Sequence, residues 1–187
     1  MTDAFLRLLA PHRADLERYA RGMVPATDVE DLLQETLLRV YRDFGRFAPG
    51  TSFRAFAFRY LVHESLNRCR SRRTRGTRER PLDGDPPDPV RDLQAEARHD
   101  LLLADPDAVL EHCRDEVRRA FLCLGVSERA AFLLVSLGGF RTREVAELLD
   151  APLGTVLAWV FRARLRLRES LADVAIERGL LPREVRG

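Results

Sequence analysis

The chain contains no lysine: all thirty-one of its basic residues are arginine. Alone this says little, although the planar guanidinium suits phosphates and base edges better than an ammonium does. Cysteine is scarce. Cys69, Cys113 and Cys123 are odd in number and lack CxxC spacing, which excludes a disulfide framework and a zinc motif and points to a reducing compartment. His99 and His112 lie near Cys113 and Cys123 without any recognisable ligand spacing, so the three thiols are read as ordinary buried groups and no metal is expected. No apolar stretch follows a basic start, and no run approaches the roughly 20 apolar residues of a membrane span. The expectation is a soluble, cytoplasmic protein. There is no Gly-rich phosphate loop and no nucleophile elbow, so neither catalytic residues nor a cofactor is expected and the chain is not read as an enzyme. Period-two alternation is missing too, and the β-branched residues are too scattered for a sheet. What remains is an all-α chain.

The net charge of +2 over 187 residues hides a division. Residues 39–80 hold twelve arginines against three acids, whereas residues 81–117 hold three against eleven. Such segregation suggests a polyanion as partner of the first block.

The segment DVEDLLQETLLRVY at 28–41 is one helix with two faces. Val29, Leu32, Leu33, Thr36, Leu37, Val40, Tyr41 and Phe44 recur at three-and-four spacing and form a core stripe. Thr27 and Glu30 have the form of a capping box, which starts the helix near Asp28. Asp31, Gln34, Glu35, Leu38 and Arg42 fall on a second, mostly polar stripe. A solvated face seldom needs its leucine. Before this helix, residues 3–22 read as a helix broken at Pro11; after it, turn chemistry at 47–50 precedes a third helix from Thr51 or Ser52 to about Arg73. Gly and Pro from Thr74 to about Ala95 mark a linker. Beyond it come helices at Pro106–Leu124, from a Ser127 cap to Leu137, at Thr142–Leu149, and from Gly154 or Thr155 past Arg168.

The last two match a helix-turn-helix, with Ala146 permitting a close crossing and Pro152 interrupting the turn; an ordinary αα corner has the same pattern. Arg162, Arg164, Arg166 and Arg168 favour nucleic acid. The third helix mixes Phe53, Phe56, Phe58 and Tyr60 with Arg54, Arg59, Arg68, Arg70, Arg72 and Arg73. Aromatics beside cations suit unpaired bases, and at this spacing most of these rings equally form a core stripe.

Taken in order, DVEDLLQETLLRVYRDFGRF, PGTSFRAFAFRYL, an Arg-rich end, a linker and REVAELLDAPLGTVLAWVFRARLRLRESL resemble a sigma-70 family sigma factor of the extracytoplasmic-function (ECF) type over about residues 5–172. The resemblance implies a sigma-2-like three- or four-helix bundle at 1–74, a flexible linker at 75–105, a sigma-4-like helix-turn-helix domain at 106–172 and a tail at 173–187. It implies that Asp31, Gln34, Glu35, Leu38 and Arg39 contact core RNA polymerase at the β′ clamp helices, with the β flap as a further polymerase contact. By the same resemblance Phe53, Arg54, Phe56, Arg59, His63, Asn67, Arg68 and Arg70 meet the promoter minus 10 element. Thr142, Arg143, Thr155, Leu157, Ala158, Trp159, Arg162 and Arg164 would meet minus 35. A cognate anti-sigma factor is a further implied partner, and the acidic stretch from Asp83 to Asp107 would mimic nucleic acid.

Three departures stand out. Leu157-Ala158-Trp159 replaces the family's usual Lys-Ser-Arg and offers almost no hydrogen bonds to base edges; His63, Glu64 and Asn67 replace the usual Asn, apolar residue and Asp; and residues 173–187 run past the usual end. Two alternatives follow: a sigma-like protein-binding regulator or decoy with weak minus 35 readout, and a dimeric helix-turn-helix repressor, which leaves the first ninety residues unexplained.

Overall fold

The computed structural model describes residues 2–75 and 114–177. Among them every regular element is helical. Helix α1 (Thr2–Leu9) passes through a 3-10 turn at Ala10–His12 into α2 (Arg13–Met23), so Pro11 breaks the first helix where its ring demands it. Helix α3 spans Ala26–Arg42 and α4 spans Phe53–Arg75. The second half holds α5 (Arg114–Cys123), α6 (Val126–Ser136), α7 (Thr142–Leu149) and α8 (Leu153–Glu177).

Helix ends follow local chemistry, with two corrections. Helix α3 starts two residues before Asp28, after Pro25. Thr27 Oγ1 donates to Asp28 rather than capping the helix, because proline's fixed φ already organises the entry. Helix α6 follows Gly125 rather than Ser127; the Gly125 N–H donates to Glu128 Oε2 at 3.3 Å, so a carboxylate reaching back supplies the cap. Ser52 does cap α4, accepting from the Ala55 N–H at 3.2 Å. Gly138-Gly139 stops α6 as read: the Gly138 and Phe140 amides return to Leu133 and Leu134 carbonyls, and a Cβ on Gly138 would lie 2.6 Å from the Leu134 oxygen.

In the first half, Leu16, Tyr19 and Met23 of α2, Leu32, Thr36 and Val40 of α3, and Phe58, Leu61 and Val62 of α4 are buried together. Phe5, Phe44, Phe47 and Phe53 form an aromatic end to this bundle. In the second half α6 is buried on every side from Glu128 to Leu134, and α7 and α8 pack on it and on each other through Val145, Val156 and Val160. The linker from residue 76, the remainder of the Pro106–Leu124 helix, His99, His112, Cys113 and the tail beyond 177 lie outside the described residues. No described helix is long and apolar enough to cross a membrane.

Candidate nucleic-acid interface

Helix α3 separates its two stripes. Val29, Leu32, Thr36 and Val40 are buried, while Asp31, Gln34, Glu35, Leu38 and Arg39 are exposed. Leu38 is 56% exposed, an apolar side chain amid polar neighbours with no core to fill. Two of these residues are also tied to α4. Arg39 Nη1 lies 2.5 Å from Glu64, a buried carboxylate, and Glu35 pairs with Arg68 at 2.9 Å; Asp28 likewise pairs with Arg72. The acidic edge of α3 thus neutralises part of the arginine series on α4.

On α4 the candidate residues divide. Phe56, Arg59, His63, Asn67 and Arg70 follow one stripe at helical spacing; Arg59, His63 and Arg70 are exposed, and Phe56 and Asn67 half-buried. The Asn67 amide lies 3.2 Å from His63 Nδ1. Phe53 does not join them. It is 4% exposed and surrounded by Phe5, Phe44, Phe47 and Phe56, so its ring is committed to the core and unavailable for stacking on a base. Phe56 keeps one side open while touching Phe47 and Tyr60. Tyr60 donates to Asp43 Oδ2 at 2.8 Å; burial first, then this hydrogen bond, raises its pKa. Arg54 turns away to the second half, its guanidinium 4.3 Å from the Phe140 ring centre. A hollow at the start of α4 is lined by Leu8, His12, Phe47, Ser52, Phe53 and Arg54. Burial, then Arg54, lowers the His12 pKa.

The helix-turn-helix forms between α7 and α8. Arg141 N–H donates to Glu144 Oε2 at 2.7 Å to start α7, and Asp150 turns the chain at φ 49, a left-handed conformation that only a few non-glycine types take readily. The Ala151 N–H returns to the Ala146 carbonyl. At the start of α8, Leu153 and Leu157 are 38% and 47% exposed; Thr155, Ala158 and Trp159 are half-buried, as is Thr142, and Arg143 is exposed. Arg162 is taken elsewhere. Its Nε donates to Glu128 Oε1 at 2.8 Å, and Arg166 Nη1 donates to Oε2 at 2.6 Å. Arg162 therefore acts as a brace between α6 and α8 rather than as a free phosphate ligand; Arg164 is half-buried.

Sequence patterns missed this brace. The available signal was Glu128 itself, a charge opening a helix whose residues from Ala130 to Val135 are apolar on all faces.

Family models for sigma-70 region 2 and sigma-70 region 4 match residues 8–75 and 114–167. The ECF RNA polymerase sigma factor SigM of Mycobacterium tuberculosis is 30% identical over 169 residues, covering 90% of this chain and 77% of that protein. The ECF RNA polymerase sigma-E factor of Salmonella typhimurium is 27% identical over 161 residues, covering 86% and 83%. Two solved structures share the fold. The sigma factor RpoE from Bartonella quintana, in complex with the anti-sigma factor NepR, superposes with a TM-score of 0.65 at 24% identity, covering 92% of this chain and 98% of that one. CnrH in complex with the cytosolic domain of CnrY gives 0.62 at 25% identity, covering 93% and 90%.

Proposed function

Because the chain belongs to the sigma-70 family, as an ECF-type sigma factor, we propose that it directs promoter-specific initiation by docking on core RNA polymerase through α3 and reading promoter DNA through α4 and α8. It supplies recognition and performs no chemistry of its own. The observation carrying this reading is the outer face of α3, where Leu38 stands 56% exposed among Asp31, Gln34, Glu35 and Arg39. An apolar centre with a polar rim is the anatomy of a protein interface, and the β′ clamp helices are its proposed partner. The β flap and a cognate anti-sigma factor are further proposed partners.

The minus 10 face of α4 consists of Phe56, Arg59, His63, Asn67, Arg68 and Arg70, with Arg54 joining when it leaves Phe140. Half-buried Phe56 offers the exposed part of its ring for stacking and the arginines follow the backbone. At minus 35, Thr142, Arg143, Thr155 and Arg164 are the proposed phosphate and base-edge contacts; support comes from exposed Arg143 and half-buried Thr142, Thr155 and Arg164 on the two helices of the helix-turn-helix. Leu157, Ala158 and Trp159 supply apolar contact, as to a thymine methyl, and little hydrogen bonding.

Purified chain is expected to copurify with core polymerase and to support initiation at promoters of its host; absence of both sinks the proposal. A second reading follows from the exposure of Leu153 and Leu157, which makes the start of α8 a protein-binding surface. Replacing Leu157 and Trp159 with polar residues separates the two: duplex binding strengthens if α8 reads DNA, and partner binding fails if it does not.

A further inference from the structure

Glu64 sits beside His63 on α4, yet its side chain is only 7% exposed. Its Oε1 serves two residues with different duties. Arg39 Nη1 reaches it from α3 at 2.5 Å, and His63 Nδ1 lies 3.4 Å away on α4. Half-exposed Arg39 belongs to the face around Leu38, whereas His63, 67% exposed, belongs to the stripe that would meet minus 10 DNA. One buried carboxylate oxygen therefore touches both of the proposed binding faces.

The imidazole cannot satisfy both of its own neighbours at once. Nδ1 also lies 3.2 Å from the Asn67 amide nitrogen, which donates, whereas the Glu64 carboxylate accepts. A bare Nδ1 takes the amide and leaves the proton on Nε2. A protonated Nδ1 serves the carboxylate and leaves Nε2 as an acceptor, either for the Asn67 amide 3.4 Å away or for a base. The hydrogen bond made by one ring nitrogen thus decides what the other offers. While Arg39 holds the carboxylate, the shorter amide contact favours the first state. When Arg39 withdraws, the buried oxygen loses its cation and the His63 N–H replaces it.

We propose that Glu64 is a positioning residue for minus 10 readout: polymerase engaging Arg39 frees the carboxylate to hold the His63 Nδ1–H, which turns Nε2 from a donor into an acceptor for DNA. The inference rests on the readings of α3 as docking face and α4 as minus 10 face. Both faces bias one two-state element, which is what coupling between separate sites requires. An accepting Nε2 favours the exocyclic amine of adenine or cytosine over the carbonyls of thymine and guanine.

Nitrogen NMR of the histidine-labelled full-length chain reads the tautomer, at about pH 8, above the ordinary imidazole value of about 6.5; His63→Gln assigns the signal. Arg39→Ala stands in for docking. It is expected to raise the Nδ1–H fraction of His63 about three- to tenfold, the scale of a charge-assisted hydrogen bond at a partly exposed site. In a Glu64→Leu background, an apolar replacement that a buried ion-pair position often tolerates, the fraction should not respond to Arg39→Ala. Glu64→Gln keeps the shape in case leucine disturbs the bundle, and should lose most of the response.

Assembled holoenzyme on a host promoter randomised across its minus 10 element gives the second readout. There Glu64→Leu should lower the preference for adenine or cytosine about threefold at the position where His63→Ala also lowers it. Arg39→Ala, although weaker in docking, should keep the wild-type preference because docking has already withdrawn Arg39. The proposal is overturned if Arg39→Ala leaves the tautomer unchanged or its effect survives without Glu64. It is equally overturned if Arg39→Ala alters the base preference, or if Glu64→Leu slows every sequence alike, as loss of a merely structural residue would. Failure of wild-type holoenzyme to initiate at any host promoter would instead defeat the promoter reading, and the tautomer responses then score the Glu64 relay by themselves.

Discussion

Glu128 does three things with one carboxylate: it accepts the Gly125 amide at the start of α6 and takes both Arg162 and Arg166 from α8. At 6% exposure it relies on those donors, and they lose a buried anion if it is neutralised. Glu128→Gln should therefore cost about 3 kcal/mol, near the low end for breaking a buried ion pair because both arginines retain some access to water. Urea unfolding should show a lower midpoint at unchanged slope; no shift would mean that the brace is dispensable. His12 provides a pH test. Its folded pKa is lowered, by burial first and Arg54 second, so the neutral ring is the form that folding favours. The stability it contributes is present above the ordinary imidazole value of about 6.5 and lost as pH falls through the lower folded value. His12→Gln should flatten that limb of a thermal-melt profile against pH. Neither role was legible beforehand, since Glu128 and His12 matched no motif and owe their behaviour to residues distant in the chain.

For whole helices, periodicity carried most of the information. The stripe Val29, Leu32, Thr36 and Val40 is buried as its spacing required, and the opposite stripe, Leu38 included, is exposed. What spacing could not resolve was the competition for helix starts. Pro25 displaced Thr27 because its fixed φ sets the entry to the helix, and Gly125 displaced Ser127 because its N–H lies within reach of the Glu128 carboxylate. The stripe on α4 was similarly mixed: Phe53 and Phe56 share one sequence pattern, yet only Phe53 lies deep in the aromatic cluster. Leu38 gives the sharpest prediction here. Since it fills no core, Leu38→Glu should leave stability within about 0.5 kcal/mol of wild type, and as the apolar centre of a polar-rimmed patch it should weaken core-polymerase binding by about tenfold or more. Equal affinity for core enzyme would remove α3 as the docking surface. At the start of α4, Ser52→Ala removes the acceptor for the Ala55 amide and should cost about 1 kcal/mol in urea unfolding.

Across the whole molecule, helical periodicity and the Gly- and Pro-rich linker composition led to two helical units, but not to their packing on each other. Helix α6 carried the relevant hint, because a helix that is apolar on every face from Ala130 to Val135 needs more partners than one small domain offers; its burial involves α2 and α4 as well as α7 and α8. Sequence separation hides such contacts, since Gly22 meets Leu133 and Phe58 meets Phe140 only after both halves have formed. If this seam between the halves contributes to stability, a change on one side must be felt on the other. Phe140 tests this, being 5% exposed and in contact with Phe58 and Arg54. Phe140→Ala should cost about 3–5 kcal/mol as a buried aromatic truncation, and hydrogen exchange should speed up in α2 and α4 as well as in α6 and α7. Faster exchange confined to α6 and α7 would show that each half keeps its stability alone. Faster exchange on both sides would place the shared seam among the interactions that stabilise the entire fold.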